Sequence, residues 1–592
     1  MKKFLMVILV GACLVAGVFT SASVLAECSP SPASDGDTVN CDNVSTDLVG
    51  VGSGSENNVT VTVDNGATVD ASPLPGVNLD SNNSVTNNGT INNSSGSAVY
   101  LGDGNAVDNN GTITATGGEG VDVYDGNVIN NDGTISTTDG VGVYGESNNT
   151  LVNTGSITSD GDAAVIMGMN NTITNTGSID ATGGDGIDAY DSNTITNNGS
   201  ITTDYGNGIY VDNNNEITNN GTISTIDGNA IDLCTGNTVI NNGTITTDNG
   251  GGVVGCDSNT VTNNGTINAT FSDGIGLGDD ATVVNNGSIN GDVSAIYINS
   301  DGSIVNNGDL TAFGITIAAN NNNSITNDGT ITSDFGIGIL AMDNNTITNN
   351  GTVDATNGID GVYVGANTVV TNNGEIIGGV IGIEGSDDAQ IVVNNGTVTG
   401  LGGTAIGLFG GDDSLVVLFG SQVNGTLDGG ADTDTITFDI QAYADEAGNA
   451  EAIASAIAAQ CPDASNCTVS INGYTYVVMN FEGAAGARII LIARVSGGKH
   501  SPTICDGDVK VIKPDGASYY DVFSGFSSDL PNGFWVGRVD PAQMPDVMRF
   551  QDSGPHNPGW YVGVTPAEDD LVVLQVHDAA GGIIGKPCTV PK

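Results

Sequence analysis

Four of the five aspartates between residues 410 and 438 have a type and spacing that suit a hard cation. Asp412 and Asp413 lie close ahead of Gly429-Gly430-Ala431-Asp432-Thr433-Asp434-Thr435-Ile436, which partly fits the calcium nonapeptide Gly-Gly-x-Gly-x-Asp-x-aliphatic. Ca²⁺ takes six to eight oxygen ligands, so Asp412, Asp413, Asp432 and Asp434 are the candidate metal ligands and calcium the candidate cofactor. Asp432 stands where the pattern wants its third glycine, and there is one copy rather than a stack. A solvated acidic turn is the alternative. The cysteines offer a second chemistry. Outside the leader they fall in neighbouring pairs, Cys28/Cys41, Cys234/Cys256, Cys461/Cys467 and Cys505/Cys588. An even number in an exported chain points to disulfides. Trp535, Trp560 and Tyr561 could stack on a sugar ring, with core packing as the alternative.

Charge narrows the rest. The chain has 11 Lys+Arg against 68 Asp+Glu, a net charge of −57, and no Lys, Arg or His between Phe4 and Ala487. Chemistry in that stretch is left to carboxylates, amides, hydroxyls and thiols. Such a surface repels nucleic acid and anionic membranes. It leaves lyase chemistry without a basic proton abstractor. Hydrolysis by a carboxylate pair stays open, although the sequence selects no pair.

Residues 1–26 read as a secretory leader: Lys2 and Lys3, an apolar run to about Phe19, and Val24-Leu25-Ala26 before the cut. A lipoprotein signal ending at Cys13 is the alternative. No other stretch is apolar and long enough to span a bilayer as a helix. The expected location is secreted or cell-surface.

The elements that must position these residues come from a repeat. Asn-x-Gly-[Thr/Ser]-Ile recurs with its glycines 22 residues apart, from Gly89 and Gly111 to Gly287, then at 21 to 23 to Gly396. An aliphatic sits four residues before each glycine (Val85, Val107, Ile129), another two after (Ile91, Ile113, Ile135), and a third about ten after (Val121, Val143, Val165). Each repeat thus offers three short alternating strands joined by Gly/Asn/Asp turns. One unit cannot bury its apolar face alone, but stacked units can. The prediction is all-β, a right-handed parallel β-helix of about 16 coils. At about 4.8 Å per coil its length is roughly 75 Å. The Asn two residues before each glycine predicts an inward amide ladder. Asn-Gly-Thr/Ser also spells a glycosylation sequon at Asn88, Asn110 and Asn220. The favoured reading is a turn in which Gly takes positive φ. Cys234 and Cys256, 22 apart, must stack on adjacent coils, bridged or reduced.

The predicted organisation is a leader at 1–26, an N-terminal cap at 27–58, and the β-helix at 59–438. A capping segment follows at 439–496, with a helix over 447–460 and strands over 468–494. The last segment, 497–592, holds all three His and both Trp and reads as a small β-rich, sandwich-like domain.

The Asn-Asn-Gly-Thr-Ile coils, the closing Val423-Asn-Gly-Thr-Leu-Asp-Gly-Gly-Ala-Asp-Thr-Asp-Thr-Ile436 and Tyr474-Thr-Tyr-Val-Val-Met-Asn-Phe-Glu482 resemble passenger regions of autotransporter-type adhesins. The resemblance implies the β-helix fold and a surface role. Some 95 residues after the rod are too few for the translocator barrel that such proteins carry. The expected function is a secreted or cell-surface, non-catalytic structural or adhesive protein that contacts glycans, surface proteins or other cells, with self-assembly as a further option. A polysaccharide hydrolase using Asp/Glu pairs is the first alternative. The second is an ice- or mineral-binding array built on Thr172/Thr174, Thr194/Thr196, Thr260/Thr262 and Thr346/Thr348.

Overall fold

The computed structural model describes residues 27–42, 50–418, 420–443, 455–462, 466–471, 473–482 and 486–494, and the strands 534–535, 548–551, 561–567, 571–577 and 583–591. The chain divides into two compact units, Met1–Ala189 and Tyr190–Lys592.

The first unit shows how a 22-residue repeat becomes a coil. Ser84–Asn87, Thr90–Asn93 and Val99–Leu101 are three short strands. Each pairs in parallel with its equivalent one repeat on: Val85↔Val107, Ile91↔Ile113, Val99↔Val121. Burial alternates along every strand, so Val85, Ile91, Val99 and Leu101 face inward with no exposed surface. Each such side chain contributes about 1.5–3 kcal/mol, and none could do so in an isolated coil. Coiling starts ahead of the first repeat glycine. Thr38–Asp42 pairs in parallel with Thr60–Val63. Glu27–Ser29 folds back antiparallel on Thr38–Asp42, tied by the Cys28–Cys41 disulfide.

The second unit repeats this architecture. Val261↔Val283 and Ile267↔Ile289 are typical pairs. Parallel pairing runs past Gly396. Ile391–Asn394, Ser414–Val417 and Thr435–Tyr443 follow one another in one sheet. Thr397–Gly407, Gln422–Asp428 and Tyr474–Met479 follow in the other. Asn466–Ile471 lies antiparallel on Tyr474–Met479, and Gly486–Arg494 pairs in parallel with Thr435–Tyr443. A short helix spans 455–460. Cys461 and Cys467 form a disulfide. Met548–Gln551, Tyr561–Ala567, Leu571–His577 and Ile583–Pro591 make a four-stranded antiparallel meander.

Two polar features hold the coils in register. The predicted ladder is present: Asn87 Nδ2 donates to Asn109 Oδ1 at 2.7 Å, and Asn263 Nδ2 to Asn285 Oδ1 at 2.9 Å, with every such Asn fully buried. The glycine prediction needs correction. The repeat glycines do not take positive φ; they are required by close approach. A Cβ on Gly133 would lie 2.1 Å from the Gly111 carbonyl oxygen of the neighbouring coil. Left-handed backbone occurs at a different turn, where Gly104, Gly126, Asn148 and Asn170 share one column. The sequon residues form an outer ladder: Asn110 Nδ2 donates to Asn88 Oδ1 at 2.9 Å and Asn220 Nδ2 to Asn198 Oδ1 at 2.8 Å.

Candidate functional site

Two of the four aspartates, Asp413 and Asp434, belong to a second ladder that sequence reading missed. At the turn before most first strands, a backbone N–H donates to the Asn side chain one coil on; Ala281 and Gly302 interrupt the column and Thr368 Oγ1 replaces the amide oxygen for Asn345 N. Asn105 N to Asn127 Oδ1 and Asn215 N to Asn237 Oδ1 are both 2.7 Å. The Asn amide also donates back to a carbonyl, as Asn237 Nδ2 does to Asp212 O at 2.8 Å. Near the end of the coils the column changes chemistry. Gln390 N donates to Asp413 Oδ1 at 2.6 Å, Asp413 N to Asp434 Oδ1 at 2.8 Å, and Asp434 N to Glu482 Oε2 at 2.6 Å.

A carboxylate accepts as Asn does but has no N–H₂ to return. Oδ2 of Asp413 and Oδ2 of Asp434 are buried and meet no donor. Burial, resisted by the Gln390 N–H and reinforced by Asp434 and Asp412, pushes Asp413 up to about 8. Burial, resisted by the Asp413 N–H and reinforced by Glu482, Asp412 and Asp432, pushes Asp434 up to about 6.

The other two aspartates serve the exposed turn: Asp412 Oδ1 accepts from Thr433 N at 3.1 Å and Asp432 Oδ2 from Gly411 N at 3.3 Å. Among the described residues no three His, Cys, Asp or Glu side chains converge on a metal position. The two buried donor-free oxygens, one each on Asp413 and Asp434, are well short of a six-to-eight-oxygen calcium shell. This donor set does not fit calcium.

The thiols also differ from expectation. Cys234 and Cys256 are free, which corrects the expectation of a disulfide between them. In-register parallel strands point equivalent side chains the same way, and that alignment opposes the near-perpendicular torsion of a disulfide. Cys505 and Trp560 lie outside the described residues. Trp535, Tyr561 and Cys588 lie on strands whose side chains are likewise outside them.

Of the paired carboxylates that hydrolysis would need, one pair stands out. Burial raises both Asp360 and Glu384, and burial first, then the Asp360 charge and its hydrogen bond, push Glu384 up to about 7. Asp360 also accepts from Ile381 N at 3.1 Å. Glycoside hydrolysis separates its carboxyls by about 5–9 Å, whereas these share one hydrogen bond. The Thr-x-Thr array is broken along the stack: Thr194 pairs with Glu216, and Thr218 with Ile240.

The feature without any polar explanation is a ridge at one corner of the second unit. Between the second and third strands of successive coils stand Phe271, Val293, Phe313, Phe335, Ile359 and Val380, followed by Leu401 within the long strand Thr397–Gly407, each between 48% and 65% exposed. Backbone bonds stack these turns directly: Phe335 N donates to Phe313 O at 3.0 Å, Val380 N to Ile359 O at 2.7 Å, and Gly402 N to Val380 O at 3.1 Å. The Phe313 and Phe335 ring centroids are 4.5 Å apart. Six coil intervals of about 4.8 Å make the ridge about 29 Å long. At the same corner in the first unit stand Thr116, Thr138 and Thr182. Sequence reading passed over the ridge because its residues occupy a turn column, where core periodicity gives no signal.

No family model matches this chain, and neither a curated protein nor a solved structure matches it.

Proposed function

We propose that this is a secreted or cell-surface, non-catalytic structural and adhesive solenoid whose contact surface is the ridge from Phe271 to Leu401. The observation that carries this reading is the continuity of the ridge. Isolated exposed apolar residues are ordinary on protein surfaces, but a contiguous strip of them marks an interaction site. Stacked coils suit the role because a side chain repeated at one corner becomes a line, and repeat scaffolds act through such faces. The leader at 1–26 and the resemblance to adhesin passengers support placement outside the cell. The near-constant coil length supports a non-catalytic role, since it leaves few long loops to wall a cleft.

The test is retention of the chain from residue 27 onward on immobilised polysaccharides and on surface-protein preparations, with release of reducing ends measured in parallel. Retention that F313S/F335S abolishes, without cleavage, supports the reading. Cleavage, or retention indifferent to the ridge, overturns it.

A further inference from the structure

The composition of the ridge and of its flanks indicates what kind of partner it fits. Ridge side chains offer no hydrogen-bonding groups, so a neutral glycan would leave its hydroxyls facing Phe, Val and Ile. Beside the apolar residues stand carboxylates: Asp292 next to Val293, Asp334 next to Phe335, and, on coils nearer the start of the unit, Asp204 next to Tyr205 and Asp227 next to Ile226. Asp204, Asp227 and Asp334 are exposed. Asp227 N donates to Asp204 O at 2.9 Å, so these two acids sit on stacked turns. No Lys, Arg or His from Phe4 to Ala487 can neutralise them within the coils. A second copy would bring the same acids to the same strip, and like charges face to face oppose association. An anionic membrane meets the same repulsion.

We infer that the ridge receives a protein segment in which apolar residues are interleaved with Lys or Arg, the apolar ones covering Phe313 and Phe335 and the basic ones pairing with Asp292 and Asp334. This rests on the adhesive reading and names its partner class. Apolar contacts at the centre set the residence time, while the acidic flanks steer encounter and set the salt dependence.

The experiment uses the chain from residue 27 onward and fluorescent peptides of alternating Leu/Lys, Ser/Lys and Leu/Glu. The expected result is Leu/Lys binding at least about ten-fold tighter than Ser/Lys, a gap lost in F313S/F335S. D292N/D334N should slow association and flatten its salt dependence. Circular dichroism confirms that each variant keeps its fold. Equal binding of Leu/Lys and Ser/Lys, or unchanged binding by F313S/F335S, overturns the inference. Competition separates the two levels of the account. If surface retention requires the ridge and the Leu/Lys peptide does not displace it, the partner class is wrong and the adhesive reading stands. If retention ignores the ridge, the adhesive reading itself fails.

Discussion

The backbone N–H of Asp413 donates to Oδ1 of Asp434 at 2.8 Å, and both side chains are buried. Ten coils earlier the corresponding bond runs from Asn193 N to Asn215 Oδ1 at 2.7 Å. The geometry is kept while the chemistry changes, and the second oxygen of each Asp stands where Asn would present its N–H₂. A protonated carboxyl supplies both functions of the amide, one oxygen accepting and one O–H donating.

The first prediction concerns pH. Asp413 and Asp434 rise from the usual 3.8 to about 8 and about 6. The folded chain therefore holds protons that the unfolded chain has released. Stability from this pair is complete below about pH 4 and falls as pH rises through about 6 and then about 8. Thermal unfolding of the wild type should fall from mildly acidic to alkaline buffer for this reason. D413N/D434N restores the amides, should raise the alkaline melting temperature by a few degrees, and should flatten the trend. Parallel profiles for the two proteins would refute the ladder reading.

The inner ladder can be cut at Asn263. Its Nδ2 donates to Asn285 Oδ1 at 2.9 Å and its Oδ1 accepts from Asn241 Nδ2 at 2.8 Å. N263L strands both neighbours in a dry interior and should cost about 1–3 kcal/mol. Denaturant unfolding gives the value, and a change near zero would mean that packing alone holds the column.

Two glycines should respond oppositely to substitution. A Cβ on Gly243 meets the Gly221 oxygen at 2.1 Å, whereas Gly126 has φ of +71° and nothing within 4 Å. Asn148 and Asn170 adopt the Gly126 conformation with side chains present. G243A should lose more than about 2 kcal/mol and G126N about 0.5 or less. Equal losses would contradict the close-approach account.

The two free thiols should label at different rates. Cys256 is exposed and Cys234 half-buried, 3.6 Å from the Tyr210 hydroxyl. That hydroxyl favours the Cys234 thiolate, but burial, Asp212 and Cys256 outweigh it and hold the thiol above its usual range. A thiol needs to ionise and be reached before it reacts. Maleimide mass labelling with C256S and C234S should show Cys256 reacting first; the reverse order would contradict this placement.

How much the sequence disclosed follows from what repeats. Val85, Ile91 and Val99 recur in every copy with period 22, so the three strands, their inward faces and the Asn87 ladder were legible. The second ladder was legible in principle, since Asn105, Asn127 and Asn149 keep the same period. Its continuation through Asp413 and Asp434 was obscured by a change of residue type, which made a ladder look like a cation motif. The glycine rule was misread because close approach between coils exists only once they stack. Ser414–Val417 and Thr435–Tyr443 continue the coils after the Asn-x-Gly motif has gone, because aliphatic alternation alone suffices to pair them. Phe313 and Phe335 are 22 residues apart, a period that was visible. Their exposure depends on which turn the coil presents outward.

If the Phe271–Leu401 ridge is the contact surface, removing its rings must abolish contact. The most direct measurement compares surface retention of the wild type, F313S/F335S, and a control with serines at Tyr124 and Met169, which are exposed apolar residues of the first unit. F313S/F335S should lose at least about ten-fold in retention and the control should lose none. Equal retention by all three proteins would contradict it.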